Sequence, residues 1–280
     1  MRRMKEQLRY LRKHPAFQSA PLSTLWRLLL WWFHCRLALP AIVYLPSFDI
    51  RLFLPSEWRG IAKLIYVFRD RYENELLFVK KALTEGCVFL DVGAAFGIYT
   101  LTAAKCVGSL GHVLAFEPTQ STCHILRRNL KLSQMPNIVS FQVALADDEG
   151  TGRVYHNADS SRNSMAPSDT SFEEVRTTRL DEAVQAQGLS RVDLIKIDVE
   201  GAEQLVLQGA KKCLTEHRPK IIFEINPAMA QLLGLSPNGA WNVLEWLDYR
   251  FFTVTVTGDL TPLKTCPAGG NVVALPKGKV

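Results

Sequence analysis

The stretch from Cys87 to Thr100, CVFLDVGAAFGIYT, constrains this chain more than any other. Four apolar or small residues run into an acid, Asp91, then into Gly93-Ala94-Ala95-Phe96-Gly97, and then into a helical pattern with three- and four-residue spacing. A continuous apolar run before a glycine turn and a helix reads as a buried parallel strand feeding a helix N-terminus. Gly93 permits a positive φ and Gly97 a close backbone approach, while Ala94 and Ala95 are small enough to keep that approach open. The unpaired N–H groups of the helix start face the same space.

The spacing here is D-x-G-x-x-x-G rather than G-x-G-x-x-G, and the acid precedes the glycines. A carboxylate in that place repels a pyrophosphate but suits a ligand carrying an ammonium group, which argues against NAD. About twenty residues on, a second apolar run ends in Glu117 and Pro118, and an acid closing the second strand is the usual partner of the two ribose hydroxyls. Adenosine without phosphate, joined to an amino-acid end, describes S-adenosylmethionine.

At 280 residues, one large domain with an extension is expected. The six cysteines are scattered with no C-x-x-C pair, a pattern of reduced thiols in a cytosol-like compartment rather than of a zinc site or disulfide scaffold. Charge is uneven. Residues 1–46 hold eight Lys or Arg and one acid, Glu6, a net +7, whereas residues 47–280 balance 25 basic residues against 26 acids. The basic excess therefore belongs to the extension, and nucleic acid is not an expected partner.

The extension, residues 1–70, precedes a catalytic domain over 71–280. Leu25 to Phe33, LWRLLLWWF, is apolar nearly all round, but Arg27 and Arg36 interrupt any run of the roughly 20 apolar residues needed to span a bilayer. A signal peptide fits no better, since Arg27 lies inside the apolar region. The favoured reading is a helical lid whose Trp and Leu side chains pack on the domain. The alternative is docking of residues 1–46 on an anionic membrane surface. A cytoplasmic chain, with peripheral contact at the inner membrane face under that alternative, is the expected setting.

A strand is expected over Phe48 to Leu54 and helices over Trp58 to Phe68 and Tyr72 to Leu83. Strands and helices then alternate, with strands over His112 to Glu117, Ile138 to Val143, Val192 to Asp198 and Lys220 to Ile225, and an antiparallel pair, Phe251 to Thr257 and Asn271 to Leu275, at the edge. Asp91, Glu117 and Ala144 each close a strand, where one ligand in a doubly wound sheet can touch all three. Residues 151–178 interrupt the alternation with two strands flanking a polar loop, whose Asn157, Ser160, Ser161, Asn163 and Ser164 suit a hydroxyl-rich substrate or serve as a solvated turn. Asp198, Glu200 and Glu203 cluster where the fourth core strand opens, and Glu224 ends the fifth.

The blocks VFLDVGAAFGIYT, AFEP, NIVSFQVALADDEG, TTRLDE, DLIKIDVEGAEQLVLQGA and RPKIIFEINP, in that order over roughly residues 72–227, resemble the FkbM-type branch of class I S-adenosylmethionine-dependent methyltransferases. The resemblance implies an α/β, Rossmann-like, doubly wound seven-stranded sheet with a terminal antiparallel hairpin, behind a helical N-terminal extension. It places Asp91, Gly93, Ala94 and Gly97 on the methionine side and Glu117 on the ribose, with Ala95, Pro118, Ala144 and Asp198 completing the expected cofactor contacts. Such enzymes usually carry Asn where this chain has Ala95 and Thr119. The family's characterised O-methyltransferases imply a hydroxyl acceptor on a sugar, glycolipid or secondary metabolite.

Methyl transfer to a hydroxyl needs in-line placement and a base. Asp198 and Glu200 are the leading carboxylates, with Glu203 and Glu224 behind them, and Asn163, Ser164 and Glu203 are expected on the substrate side. Mg²⁺ shared by Asp198 and Glu224 is the weaker alternative, since no third ligand is evident. Two further classes stand beside this reading. One is a methyltransferase for protein or nucleic acid, against which the strand ends in DVEG rather than an N-P-P-Y-like tetrad. The other is a catalytically silent cofactor-binding adaptor at a membrane surface.

Overall fold

The computed structural model describes residues 11–157 and 163–278. Ser160, Ser161 and the first ten residues lie outside the described residues. Helices α1 (Pro15–Ser19) and α2 (Pro21–Arg36) each start on a proline, whose fixed φ and missing N–H suit a first helical position. A hairpin of β1 (Ala41–Leu45) and β2 (Ile50–Leu54) follows, then α3 (Ile61–Phe68), a 3-10 turn at Arg69–Arg71 and α4 (Glu75–Ala82). The alternating part runs β3 (Val88–Val92), α5 (Ile98–Val107), β4 (His112–Phe116), α6 (Gln120–Ser133) and β5 (Ile138–Phe141). After a detour through β6 (Ala144–Leu145), β7 (Gly150–Tyr155), β8 (Phe172–Thr178) and α7 (Leu180–Ala186), the chain returns as β9 (Leu194–Ile197). It ends with α8 (Glu203–Gln208), α9 (Lys211–Glu216), β10 (Lys220–Ile225), α10 (Pro227–Leu232), α11 (Gly239–Trp246), β11 (Tyr249–Val254), β12 (Leu260–Leu263) and β13 (Gly270–Pro276).

The main sheet has the order β12-β11-β13-β10-β9-β3-β4-β5. The five strands from β10 to the β5 edge are parallel, whereas β13 runs antiparallel to β10, β11 to β13 and β12 to β11. Chain progression reverses between β3 and β9, which makes the carboxyl ends of these two strands the switch point. Seven of the eight strands are those the sequence predicts, in a doubly wound sheet with antiparallel strands at one end. The eighth, β12, carries Pro262, which a strand tolerates at a sheet edge, and that proline hides it from a sequence pattern.

Three departures have local causes. The third core strand stops at Phe141, because Ala144 and Leu145 pair instead with β8 in a separate three-stranded sheet. One helix is expected from the end of the fourth core strand to Leu214, and it breaks into α8 and α9 at Gly209, where a Cβ would stand 2.0 Å from the Ala146 carbonyl oxygen. The apolar stretch Leu37 to Leu45 yields β1, whose buried and exposed residues alternate along AIVYL. Asn129 of α6 ties this hairpin to the glycine turn: its Oδ1 accepts from the Phe53 N–H at 2.6 Å, and its Nδ2 donates to the Phe53 and Phe96 carbonyls.

The extension is a lid on one side only. Trp31 is fully buried, donates from Nε1 to the Glu57 carbonyl at 2.9 Å and packs on Tyr66, so the inner face of α2 joins the core that continues through β1, β2 and Phe89. The expectation that the Trp and Leu side chains as a set pack on the domain is corrected, because α2 is apolar on both faces and one helix face is all the domain covers: Trp26, Trp32 and Leu29 stay exposed. No helix of the described residues is long and apolar enough to cross a membrane.

Candidate active site

The carboxyl ends of β3, β4 and β9 converge on a cleft that opens to solvent. Its walls bring together Gly93, Ala95, Glu117, Pro118, Ala144, Asn163, Ser164, Asp198 and Glu200 from segments distant in sequence. Gly93 has φ +80°, and a Cβ there would lie 1.9 Å from the Asp198 carbonyl oxygen, so only glycine lets the β3 turn meet the end of β9. The Gly93 and Ala94 N–H groups both donate to the Phe116 carbonyl, at 3.0 and 2.9 Å, which locks the turn to β4. Ala95 itself sits at φ +47°, a left-handed conformation that Asn adopts more readily than Ala.

Glu117 is buried against this turn. Its Oε2 accepts from the Ala95 N–H at 3.0 Å and its Oε1 from the Thr119 N–H at 3.1 Å, so the carboxylate is fixed at the cleft wall before any ligand arrives. Burial pushes its carboxyl up to about 7, with the two backbone donors pulling the other way. Thr122, on the same wall, has a buried Oγ1 with no hydrogen-bond partner among the described residues. An orphaned hydroxyl beside a fixed carboxylate and an apolar wall of Phe116, Val143 and Ala144 fits the adenosine of S-adenosylmethionine.

At the other end, Asp198 Oδ2 accepts from the Lys196 Nζ at 2.7 Å, with the lysine 2% exposed and the aspartate side chain 33% exposed. Burial would lower the Lys196 ammonium, but Asp198, Glu73 and Asp91 outweigh it and hold it above its ordinary range. The ammonium also stands 4.8 Å over the Tyr99 ring, and Tyr99 donates to Glu73. Asp91 lies beneath the turn rather than on the cleft wall. It is 1% exposed, accepts from the Thr100 hydroxyl, and burial pushes it up to about 6 against the pull of that bond. Ala94 and Gly97 likewise shape the turn from behind; a Cβ on Gly97 would stand 2.7 Å from the Leu126 side chain.

Two expectations are corrected. Glu203, expected on the substrate, is 3% exposed and turns back: its Oε1 accepts from the Val199 and Gly201 N–H groups at 3.1 and 3.2 Å, capping the loop that follows β9. Glu224, expected near the chemistry, does not line the cleft; its Oε2 meets the Asn226 Nδ2 at 3.4 Å, and that same amide donates to Glu200 Oε2 at 3.1 Å. Burial pushes both Glu203 and Glu224 up to about 7. Ser164 holds the Glu200 carbonyl at 2.8 Å, so the polar loop is pinned to the turn after β9. Glu200 is at φ +50°, a strained placement of the kind that collects at working sites. Among the described residues no three His, Cys, Asp or Glu side chains are grouped to hold a metal ion.

Sequence reading missed Lys196, Thr122 and Asn226. Lys196 carried a signal, being the one charge inside the otherwise apolar LIKI of a strand buried on both sides. Thr122 and Asn226 carried none, since each becomes a site residue only through where its helix begins.

The FkbM methyltransferase domain family matches residues 91–251. The chain belongs to that family. It is 26% identical to methyltransferase sdnD of Sordaria araneosa over 52% of this chain and 73% of that protein. It is 28% identical to methyltransferase 1 of Beauveria bassiana (strain ARSEF 2860) over 43% of this chain and 57% of that one, just over half its length. Among solved structures, methyltransferase FkbM from Methylobacillus flagellatus KT superposes with a TM-score of 0.43 at 14% identity, covering 76% of this chain and 53% of that one. This FkbM-family chain is thus an S-adenosylmethionine-dependent methyltransferase.

Two measurements probe the buried acids in and around the cleft. Glu117→Ala removes the carboxylate that both backbone donors fix, and is expected to weaken S-adenosylmethionine binding by roughly 10- to 100-fold in calorimetry; unchanged affinity would remove Glu117 from the ribose. The second concerns pH. Glu75, Glu117, Glu203 and Glu224 are pushed up to about 7 and Asp91 to about 6, all chiefly by burial. The folded chain then keeps protons that the unfolded chain releases near pH 4, so stability present at low pH is lost as pH rises toward 7. The Tm of the ligand-free protein is expected to fall by on the order of 5–10 °C between pH 5 and pH 8. A flat or rising Tm across that window would show these acids ionising as in water.

Proposed function

We propose that this methyltransferase methylates a hydroxyl oxygen on a small molecule, a sugar, glycolipid or secondary metabolite, with Asp198 as the base. The observation that carries the reading is the Asp198 carboxylate, held at the cleft mouth by a buried lysine and next to the glycine turn. S-adenosylmethionine supplies the electrophilic methyl group. Gly93 and Ala95 leave its amino-acid end room against the main chain, and Glu117 and Thr122 take the nucleoside. Asn163 and Ser164, which line the same cleft, orient the acceptor, and Asp198 receives the hydroxyl proton while Lys196 keeps the carboxylate aimed. Glu200, whose carboxylate is held by Asn226, lies on the same wall and serves as the second candidate for that proton.

Incubating the protein with methyl-labelled S-adenosylmethionine and native-host extract, then identifying the labelled product by mass spectrometry, tests this. A methyl ether on a small molecule is the expected product. Label in protein or RNA, or on nitrogen, would replace the hydroxyl reading, and donor binding without any transfer would replace it with an adaptor role.

A further inference from the structure

We propose that the outward face of α2 and the loop and strand after it form a docking surface for an anionic lipid bilayer. The chain lies on the membrane through this surface and does not cross it. Leu22, Leu25, Trp26, Leu29, Trp32 and Phe33 recur at three- and four-residue spacing along one side of α2, and all are exposed, from 83% at Leu22 to 43% at Trp32. A surface helix ordinarily turns a polar face to water. Here the face opposite the core is apolar from Leu22 to Phe33, with the exposed Arg36 at its C-terminal end, and it holds two tryptophans and a phenylalanine, side chains suited to the headgroup boundary.

The apolar surface does not end with the helix. Leu37 and Leu39 are exposed in the loop, which folds back so that the Leu39 N–H donates to the His34 carbonyl at 2.9 Å. On β1 the outward residues are Ile42, at 63% exposure, and Tyr44. An apolar face alone does not say what covers it. Charge does: no acid occurs between Glu6 and Asp49, while Arg12, Lys13 and Arg36 are exposed along the same segment. Arg51, exposed on β2, stands over the Tyr44 ring at 5.9 Å. Asp49 itself is paired with Lys105 at 2.8 Å. Exposed aromatic side chains on a segment that carries arginine and lysine and, from residue 11 to residue 48, no acid complement anionic phospholipid headgroups. A second copy of the same basic face would meet like charge.

The inner face of α2 anchors it independently, through Trp31 and through Arg27, whose Nη1 donates to the Val67 carbonyl at 2.9 Å. Outer-face substitutions therefore leave the fold in place, which makes the test clean. The full chain is sedimented with phosphatidylcholine vesicles with and without phosphatidylserine, alongside the triple variant W26S/W32S/F33S. Wild type is expected to bind the phosphatidylserine vesicles and to be released in part as salt rises. The triple variant should lose tenfold or more of that binding, while its calorimetric affinity for S-adenosylmethionine matches wild type. Equal vesicle binding by the two proteins, or none by wild type, overturns the proposal. So does a wild-type dimer in sedimentation velocity that the triple variant dissolves without any vesicle binding, which would assign the face to a second copy.

Discussion

Replacing Asp198 with asparagine is expected to lower kcat by roughly 10³-fold, while the Kd for S-adenosylmethionine changes by less than about threefold. The asymmetry follows from the geometry. The carbonyl oxygen of the introduced amide can still accept from the Lys196 ammonium, which sits 2.7 Å from Oδ2 in the parent, so the β9 end and the glycine turn packed on it keep their positions. What disappears is the ability to take a proton from the acceptor. Glu200→Gln serves as the comparison. Its Oε2 already accepts from Asn226, and an amide can keep a contact there, so a loss of about tenfold or less is expected if Asp198 is the base. Single-turnover measurements of methyl transfer, with donor binding followed separately, decide between them. Wild-type turnover in Asp198→Asn would take Asp198 out of the role, and a collapse of donor affinity in the same variant would make it a binding residue instead.

Why sequence reading located this cleft and yet misassigned parts of it has a physical reason. The glycine turn was legible because a strand-to-turn-to-helix switch needs particular residues at particular places: Gly93 at φ +80° against the Asp198 carbonyl and Gly97 at φ +86° against Leu126 leave no alternative. Glu117 was legible because it closes an apolar run. The roles of Glu203 and Glu224 were not, because an acid in a cluster can face the ligand, solvent or its own backbone, and only the path of the loop from Val199 to Ala202 decides. That loop turns Glu203 onto two backbone N–H groups. The extension was half legible for a similar reason. Its sequence shows an apolar helix, but a helix that is apolar all round does not say which side the domain takes. The hairpin and α3 settle that by taking Trp31 and leaving Trp26 and Trp32 outside.

The second large effect concerns the lysine beneath the base. Lys196 pairs in register with Asp91 on β3 and with Ile222 on β10, so it stands on a strand flanked on both sides, and its side chain is buried. It meets Asp198 directly and balances Asp91 and Glu73 as well. Lys196→Met fills the same space but leaves those acids without a cation, and breaking a buried pair in this way costs about 3–5 kcal/mol. For a chain of this size that is a drop in Tm of roughly 10 °C at pH 8. The sign of the pH dependence separates this from a packing defect. The stranded acids relieve their repulsion by holding protons, so their pKa values rise further and the variant recovers stability as pH falls toward 5. A drop of equal size at both pH values, or none, would show that Lys196 is not the counter-ion of this cluster. The same charge count bears on ligand choice. One ammonium set among Asp91, Glu73 and Asp198 leaves the floor of the cleft net negative whenever those acids are ionised, and a donor that carries its positive charge on sulfur next to the reacting methyl is drawn to such a floor where a pyrophosphate is turned away. Donor affinity in Lys196→Met, measured at pH 8 where the fold still holds, should therefore not fall in proportion to stability, since the variant removes a positive charge from beneath a cationic ligand.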